Sequence, residues 1–157
     1  MQPKMIIFGL IKSLHDLFTA LWVGGLLTSA LSFMPTLKEL GKGPQVKDIM
    51  IKYQKHLRVV ALISILGLWV TGIFLGRQSE AYTGFMQFSS TYNVLVSIKH
   101  LIVFVMIVIV IVRGYILGRK IAEFTPSQQK LYAALLMINT VLGVVVLFLS
   151  GLSATIG

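Results

Sequence analysis

Ionisable side chains inside apolar segments are the residues of this chain that could do chemistry. His15 and Asp16 interrupt one apolar segment, and Lys99 and His100 interrupt another. An ionisable group at membrane depth costs ~2.5–3.5 kcal/mol on insertion scales, so by default such a group indicates a functional site. These four residues are the first candidates.

The two histidines are predicted to lie at matching depth. His15 is about ten residues from the start of its segment and His100 about eight from the start of its own, which at a rise of 1.5 Å per residue places both ~10–15 Å below one surface. Imidazole is an axial ligand of haem iron, and bundles hold cofactors between facing helices. We therefore predict haem b between His15 and His100, with Lys12, Lys99 and Arg77 near its propionates.

Each of these residues also has a plainer interpretation. A histidine in a membrane helix can simply hydrogen-bond a neighbouring helix. Asp16 can pair with Lys12, four residues earlier on the same helix. Its functional alternatives are an ion pair with Lys99 across helices and a proton-carrying carboxyl beside a redox centre.

Further metal-ligand chemistry is limited. His56 is expected to be solvated at the end of its segment, and its alternative is ligation of a second haem with a partner such as Met34 or Met137. Copper passage along His15, Met106 and His56 is a transport alternative, although methionines in helices mostly pack. Because the chain has no cysteine, disulfides, thiolate metal sites and cysteine nucleophiles are excluded.

The elements that position these residues are predicted to be membrane helices. The chain has 157 residues, of which 56% are hydrophobic and 12% charged. A ~30 Å hydrocarbon core needs about 20 helical residues. We predict one all-α domain, an integral membrane four-helix bundle, with helices at roughly 5–33, 59–75, 92–117 and 131–153. Pro35 is expected to end the first helix, and Thr125 or Ser127 to cap the fourth.

The net charge of +9 indicates membrane orientation rather than nucleic-acid binding, because the basic residues flank the apolar segments. Ten positive residues lie in or beside the first and third segments that connect the predicted helices. The remaining four lie toward the opposite membrane surface. By the positive-inside rule both termini are extracytoplasmic, in a multi-pass protein of the plasma membrane. The ten are Lys38, Lys42, Lys47, Lys52, Lys55, Arg58, Arg113, Arg119, Lys120 and Lys130, and the four are Lys4, Lys12, Arg77 and Lys99.

Helical spacing also predicts which residues face the bundle interior. Small and polar residues on one stripe mark the side that faces other helices. On the first helix this stripe holds Lys12, His15, Thr19, Trp22, Gly25 and Ser29. Arg113 is expected to extend to the membrane interface. Asn139 is expected to hydrogen-bond another helix.

A series of motifs follows the order of the helices. These are Lys12-x-x-His15, Trp22-x-Gly24-Gly25-Leu26, Pro35, Gly67-Leu68-Trp69, Gly72, Lys99 and Asn139. The order resembles the superfamily that contains the membrane domain of copper-resistance protein D and the small membrane protoporphyrinogen IX oxidases. The resemblance implies a four-helix membrane bundle, a b-type haem at His15, and Lys99 as the lysine that the oxidases require.

Two departures separate this chain from the oxidases. They carry Leu-Pro-Arg-Leu-Phe-Val-Tyr-His after the first helix, where this chain has Phe33-Met34-Pro35-Thr36-Leu37-Lys38. In addition, His100 directly follows Lys99, which favours a haem with two histidine ligands.

The leading prediction is therefore a haem b protein of the lipid bilayer that passes electrons between an outer-face partner and a quinone or partner subunit. The alternatives are an oxidase-like enzyme using Lys99 and His15, a copper transporter of the copper-resistance D type, and a structural subunit. A homo-oligomer or a larger respiratory or photosynthetic complex is compatible with each.

Overall fold

The computed structural model describes residues 3–41, 43–78, 86, 88, 90–118 and 124–156. Within these ranges all regular structure is helical. Four helical spans are long and apolar enough to cross a membrane, namely Lys4–Glu39, Pro44–Gln78, Thr91–Leu117 and Pro126–Ile156. The predictions of an all-α fold and of a multi-pass membrane protein are confirmed, whereas the orientation of the termini stays a prediction.

The first span continues past the predicted stop. Helix α1 (Pro3–Thr28) passes into a π-helical turn (Ser29–Phe33) and then into α2 (Met34–Glu39), which contains Pro35 in its first turn. A proline inside an α-helix clashes with the carbonyl four residues earlier. The wider π turn immediately before Pro35 accommodates the proline, so this stop signal was wrong. The chain turns instead near Gly41, whose φ of 80° favours glycine.

The second span is much longer than its apolar part. Helix α3 (Pro44–Gln78) begins at a proline, which is favoured in the first turn of a helix, rather than near residue 59. The region 44–58 was predicted to be mostly link because it is polar. Hydropathy detects the part of a helix that lies in lipid, and it carries no information about where the helix itself begins.

The last two spans begin at side-chain caps. Helix α4 (Thr91–Ile111) starts after Ser90, whose hydroxyl accepts a bond from the Asn93 amide at 3.2 Å, and it ends in a second π turn (Val112–Leu117). Helix α5 (Pro126–Ile156) starts with a capping box between Thr125 and Gln128, with bonds of 2.9 and 3.3 Å. Of the two predicted caps, Thr125 and Ser127, these bonds identify Thr125.

The helices pack as two hairpins. Helix α1 packs along α3, α4 packs along α5, and α1 joins the hairpins through α5. The pair α3 and α4 is not among the closely packed pairs of the described helices. The buried core holds Trp22, Leu26, Ala61, Met106, Val110, Leu136 and Val146. The helices of the bundle enclose two cavities.

Candidate functional site

The larger cavity lies at the end of the bundle where α1 begins and α5 ends, and we call it the terminal cavity. Its volume is about 620 Å³, within the ~300–1,000 Å³ range of pockets that hold small molecules and cofactors. All four spans contribute to its wall. The lining residues are His15, Thr19, Trp22, Val23, Leu68, Trp69, Gly72, Ile73, Gly76, Arg77, Lys99, His100, Val103, Met106, Val146 and Ser150. The structure thus brings together four of the five residues predicted around haem, namely His15, Arg77, Lys99 and His100. Trp22, from the predicted inward-facing stripe, lies beside them.

The imidazole of His15 is held by a chain of hydrogen bonds to α3. The hydroxyl of Thr71 donates to the carbonyl of Gly67 at 2.6 Å, so its oxygen is an acceptor toward His15 Nδ1 at 2.8 Å. His15 Nδ1 must then carry the proton, which leaves the lone pair of the neutral ring on Nε2. This is the tautomer of a metal-ligating histidine whose other nitrogen is fixed by a second partner.

His100 has the same tautomer for a simpler reason. Its Nδ1 lies 2.7 Å from the carbonyl oxygen of Val96, and a carbonyl can only accept. The proton therefore sits on Nδ1 and the lone pair on Nε2. The residue is exposed in the isolated chain because the cavity that it lines is open between α3 and α4.

The rest of the wall is cationic at its rim and apolar inside. Lys99 is half-buried and Arg77 is exposed. Trp22 and Met106 are buried, at 4% and 1% exposed. The indole Nε1 of Trp22 has no hydrogen-bond partner among the described residues.

Lys12 and Asp16 lie outside the terminal cavity. The Lys12 ammonium is 3.7 Å from the Asp16 carboxylate, and both side chains are mostly exposed. This confirms the plainer interpretation of Asp16 as the same-helix partner of Lys12. Lys12, which was predicted on the inward-facing stripe, is therefore mostly exposed and paired on its own helix, and it does not line the terminal cavity.

His56 is exposed and lines neither of the two cavities described here. Its Nδ1 donates to the Lys52 carbonyl one turn earlier, at 2.8 Å. Met137, one of its suggested partners, is 52% exposed. The structure places His56 as expected for a solvated residue, and ligation of a second haem stays a prediction that no described contact favours.

The terminal cavity carries side chains of the types that would hold a haem. Within the described part of the chain, no group of three or more His, Cys, Asp or Glu side chains is arranged to hold a metal ion. A haem iron needs only two axial ligands from the protein. His15 and His100 supply two imidazoles, and Lys99 and Arg77 supply cations for propionates.

The smaller cavity was missed by sequence reasoning. It has a volume of about 40 Å³ and lies at the opposite end of the bundle, beside the second π turn, and we call it the loop cavity. Its polar lining consists of Gln54, Arg58, Arg113 and Tyr132, with Trp22 at the boundary with the terminal cavity. Arg113 is only 5% exposed, so the expectation that it extends to the interface was wrong.

Arg113 turns inward because an aromatic ring receives it. Its guanidinium carbon lies 4.4 Å from the ring centroid of Tyr132 on α5, within the range of a cation–π contact. Nothing in the local sequence around Arg113 identifies this partner, which lies on another helix. Asn139 also differs from expectation, since both its side-chain polar atoms are buried without a hydrogen-bond partner among the described residues.

Comparisons with known proteins add no assignment. No family model, curated protein or solved structure matches the chain. The similarity to the copper-resistance D superfamily stays a prediction from the motifs.

Proposed function

We propose that this protein binds haem b in the terminal cavity, with His15 and His100 as axial ligands, and that it transfers electrons across part of a membrane. The observation that carries the proposal is the pairing of two imidazoles, from α1 and α4, on the wall of one cavity of about 620 Å³. In each ring Nδ1 is engaged by a second partner and Nε2 bears the lone pair.

The protein's own residues would bind and insulate the cofactor. His15 and His100 would donate their Nε2 lone pairs, while Lys99 and Arg77 would compensate the propionate charges. Trp22 and Met106, both buried, would exclude water from the inner wall. The haem, when bound, supplies one-electron redox chemistry, and the burial and ligands set its potential.

The proposal includes the setting of the reaction. The four apolar spans place the chain in a lipid bilayer, and the basic loops favour a plasma membrane with extracytoplasmic termini. The electron donor or acceptor is then an outer-face partner on one side and a quinone or partner subunit within the membrane.

An optical spectrum of the full-length protein, purified in a mild detergent with haem supplied during expression, tests the proposal. We expect a Soret band and a low-spin spectrum in the wild type. His100→Ala is expected to lose the low-spin signature, because one axial ligand is removed, and His15→Ala to lose it likewise.

His56→Ala is the matched control, since the third histidine lies outside both cavities and its removal should leave the spectrum unchanged. Wild-type protein without a Soret band, or a His100→Ala variant that stays low-spin, would contradict the proposal.

One observation favours a second candidate function. Lys99 and His15, which the oxidase resemblance pairs, line the same cavity. An enzyme that oxidises protoporphyrinogen IX would hold this substrate where we place haem. Wild-type protein, but not Lys99→Met, should then restore growth to a strain lacking this oxidase. Absence of rescue by well-expressed wild type would leave electron transfer as the only proposal.

A further inference from the structure

The loop cavity contains hydrogen-bond donors that the described residues do not satisfy. Arg113 is 5% exposed, and its Nε and Nη2 atoms are buried with no hydrogen-bond partner in the described part of the chain. These two atoms form one edge of the guanidinium, the edge that binds an oxyanion through two parallel bonds. The Nε atom of Arg58 is buried and unpartnered as well.

The second arginine lies beside two glycines of the facing turn. A Cβ atom built on Gly114 would be 3.7 Å from the Arg58 side chain, and one on Gly118 would be 3.5 Å from its Nη2. Arg58 of α3 therefore lies against the backbone of the turn that also carries Arg113. Two guanidinium groups from different helices converge on one small space.

Among the described residues, neither arginine has a counter-ion in this space. The lining holds no carboxylate, and the two ion pairs within the described residues join Lys12 to Asp16 and Lys52 to Asp48. Buried charges in proteins are paired or bind a ligand, because an unpaired buried charge is costly. An anion bound between the two guanidinium groups would compensate both charges.

The size of the cavity limits the anion. About 40 Å³ is room for roughly three water molecules, at ~10–15 Å³ each, and so for one compact oxyanion group but not for a macrocycle. A tetrahedral phosphate can accept from two guanidinium groups at once. The wall also includes Leu21, which is 44% exposed toward the surroundings of the bundle, so a group attached to a lipid can enter from the side.

We propose that the loop cavity is a phosphate-binding site, in which Arg113 binds the phosphate through its Nε and Nη2 edge and Arg58 provides a second contact. The phosphate is either the headgroup of a membrane phospholipid or free phosphate. This site is independent of the haem proposal, since its two arginines take no part in the terminal cavity.

The test uses full-length protein stripped of lipid in a phosphate-free, uncharged detergent. Three probes are titrated separately while bound adducts are counted by native mass spectrometry and thermal unfolding is followed: dioleoylphosphatidylglycerol, dioleoylglycerol, which has the same chains without phosphate, and inorganic phosphate. We expect binding of the phospholipid or of phosphate, and at least about tenfold weaker binding by Arg113→Gln, since a hydrogen bond to a charged group is worth at least ~1.4 kcal/mol, or a factor of ten.

Two further variants distinguish the two parallel hydrogen bonds of the Arg113 guanidinium from the effect of positive charge alone. Arg113→Lys keeps the charge but cannot form two parallel bonds, and we expect it to bind more weakly than the wild type. Lys47→Gln removes an exposed cation outside the cavity and should leave the affinity unchanged. If Arg113→Gln does not fold, Arg58→Gln replaces it, with the same expectation.

The outcomes decide both the site and the source of the phosphate. Binding of phosphatidylglycerol alone identifies a lipid site, and binding of inorganic phosphate identifies a soluble ligand. Equal binding of dioleoylglycerol and phosphatidylglycerol, equal affinity in wild type and Arg113→Gln, or binding of neither phosphate probe would overturn the proposal.

Discussion

The terminal and loop cavities differ in how their polar groups are satisfied. In the terminal cavity, His15 and His100 each have Nδ1 bonded to a neighbour, through Thr71 and Val96. In the loop cavity, Arg113 presents donors that no described residue accepts. The haem proposal therefore depends on the imidazole nitrogens of the first cavity, whereas the phosphate proposal depends on the hydrogen-bond donors of the second.

The two cavities also differ in volume. The terminal cavity has about 620 Å³ and an open side, while the loop cavity has about 40 Å³. Trp22 lines both cavities, so one buried side chain lies between them. Because the two cavities lie at the two ends of the bundle, we expect variants in one cavity to leave the other undisturbed.

The largest structural disturbance of the terminal end is expected from Gly67→Ala. A Cβ atom at this position would overlap the ring of Phe18, so this contact between α1 and α3 depends on glycine. Displacing that ring should cost ~1–3 kcal/mol, as for other overpacked sites. Chemical unfolding in detergent measures the loss of stability. Phosphate binding at the loop cavity should persist in the folded fraction.

Gly24→Ala is the control for this change. No atom lies within 4 Å of a Cβ added at Gly24, and alanine is favoured over glycine in a helix by up to ~1 kcal/mol. Gly24→Ala should therefore be neutral or stabilising. A Gly67→Ala protein as stable as the wild type would show that the α1–α3 contact tolerates separation.

The next largest effect is expected from removing the Thr71 hydroxyl, the hydrogen-bond partner of His15. Thr71→Val removes the hydroxyl that fixes the Nδ1 tautomer but retains the shape of the side chain. Loss of such a second partner typically weakens metal binding 10–100-fold, so we expect about that loss in haem affinity. Thr71→Ser keeps a hydroxyl and should retain most of the affinity. Haem transfer to apomyoglobin compares the variants, and equal rates for valine and serine would refute a role for Thr71.

The sequence predicted the parts of this fold that depend on lipid. Four apolar segments and the Thr125 cap were recognisable because long hydropathy and side-chain capping are local signals. The continuation of the first span through Pro35 was not recognisable from the sequence, because it requires a π turn that no residue type specifies. The start of α3 at Pro44 was missed because polar helical turns resemble links.

The two cavities also differ in how far the sequence predicts their residues. His15, Lys99 and His100 could be grouped because ionisable residues at similar depth in neighbouring helices point to a shared interior. The inward turn of Arg113 depends on Tyr132, which comes from a different helix. A charge near a helix end is usually solvated, and only the tertiary arrangement distinguishes the exception.

The smallest expected effect separates Lys12 from the cations of the terminal cavity. Lys12 was predicted beside the propionates, but its ammonium pairs with Asp16 at 3.7 Å and its side chain is 59% exposed. An exposed pair four residues apart contributes about 0.3–0.5 kcal/mol, so Lys12→Gln should leave stability and the haem spectrum nearly unchanged. Lys99→Gln, which alters the cavity wall, should weaken haem retention at the same ionic strength. An equal loss of haem retention in Lys12→Gln and Lys99→Gln would contradict this expectation. Lys12 would then have to leave Asp16 when the cofactor binds and would belong to the wall of the terminal cavity.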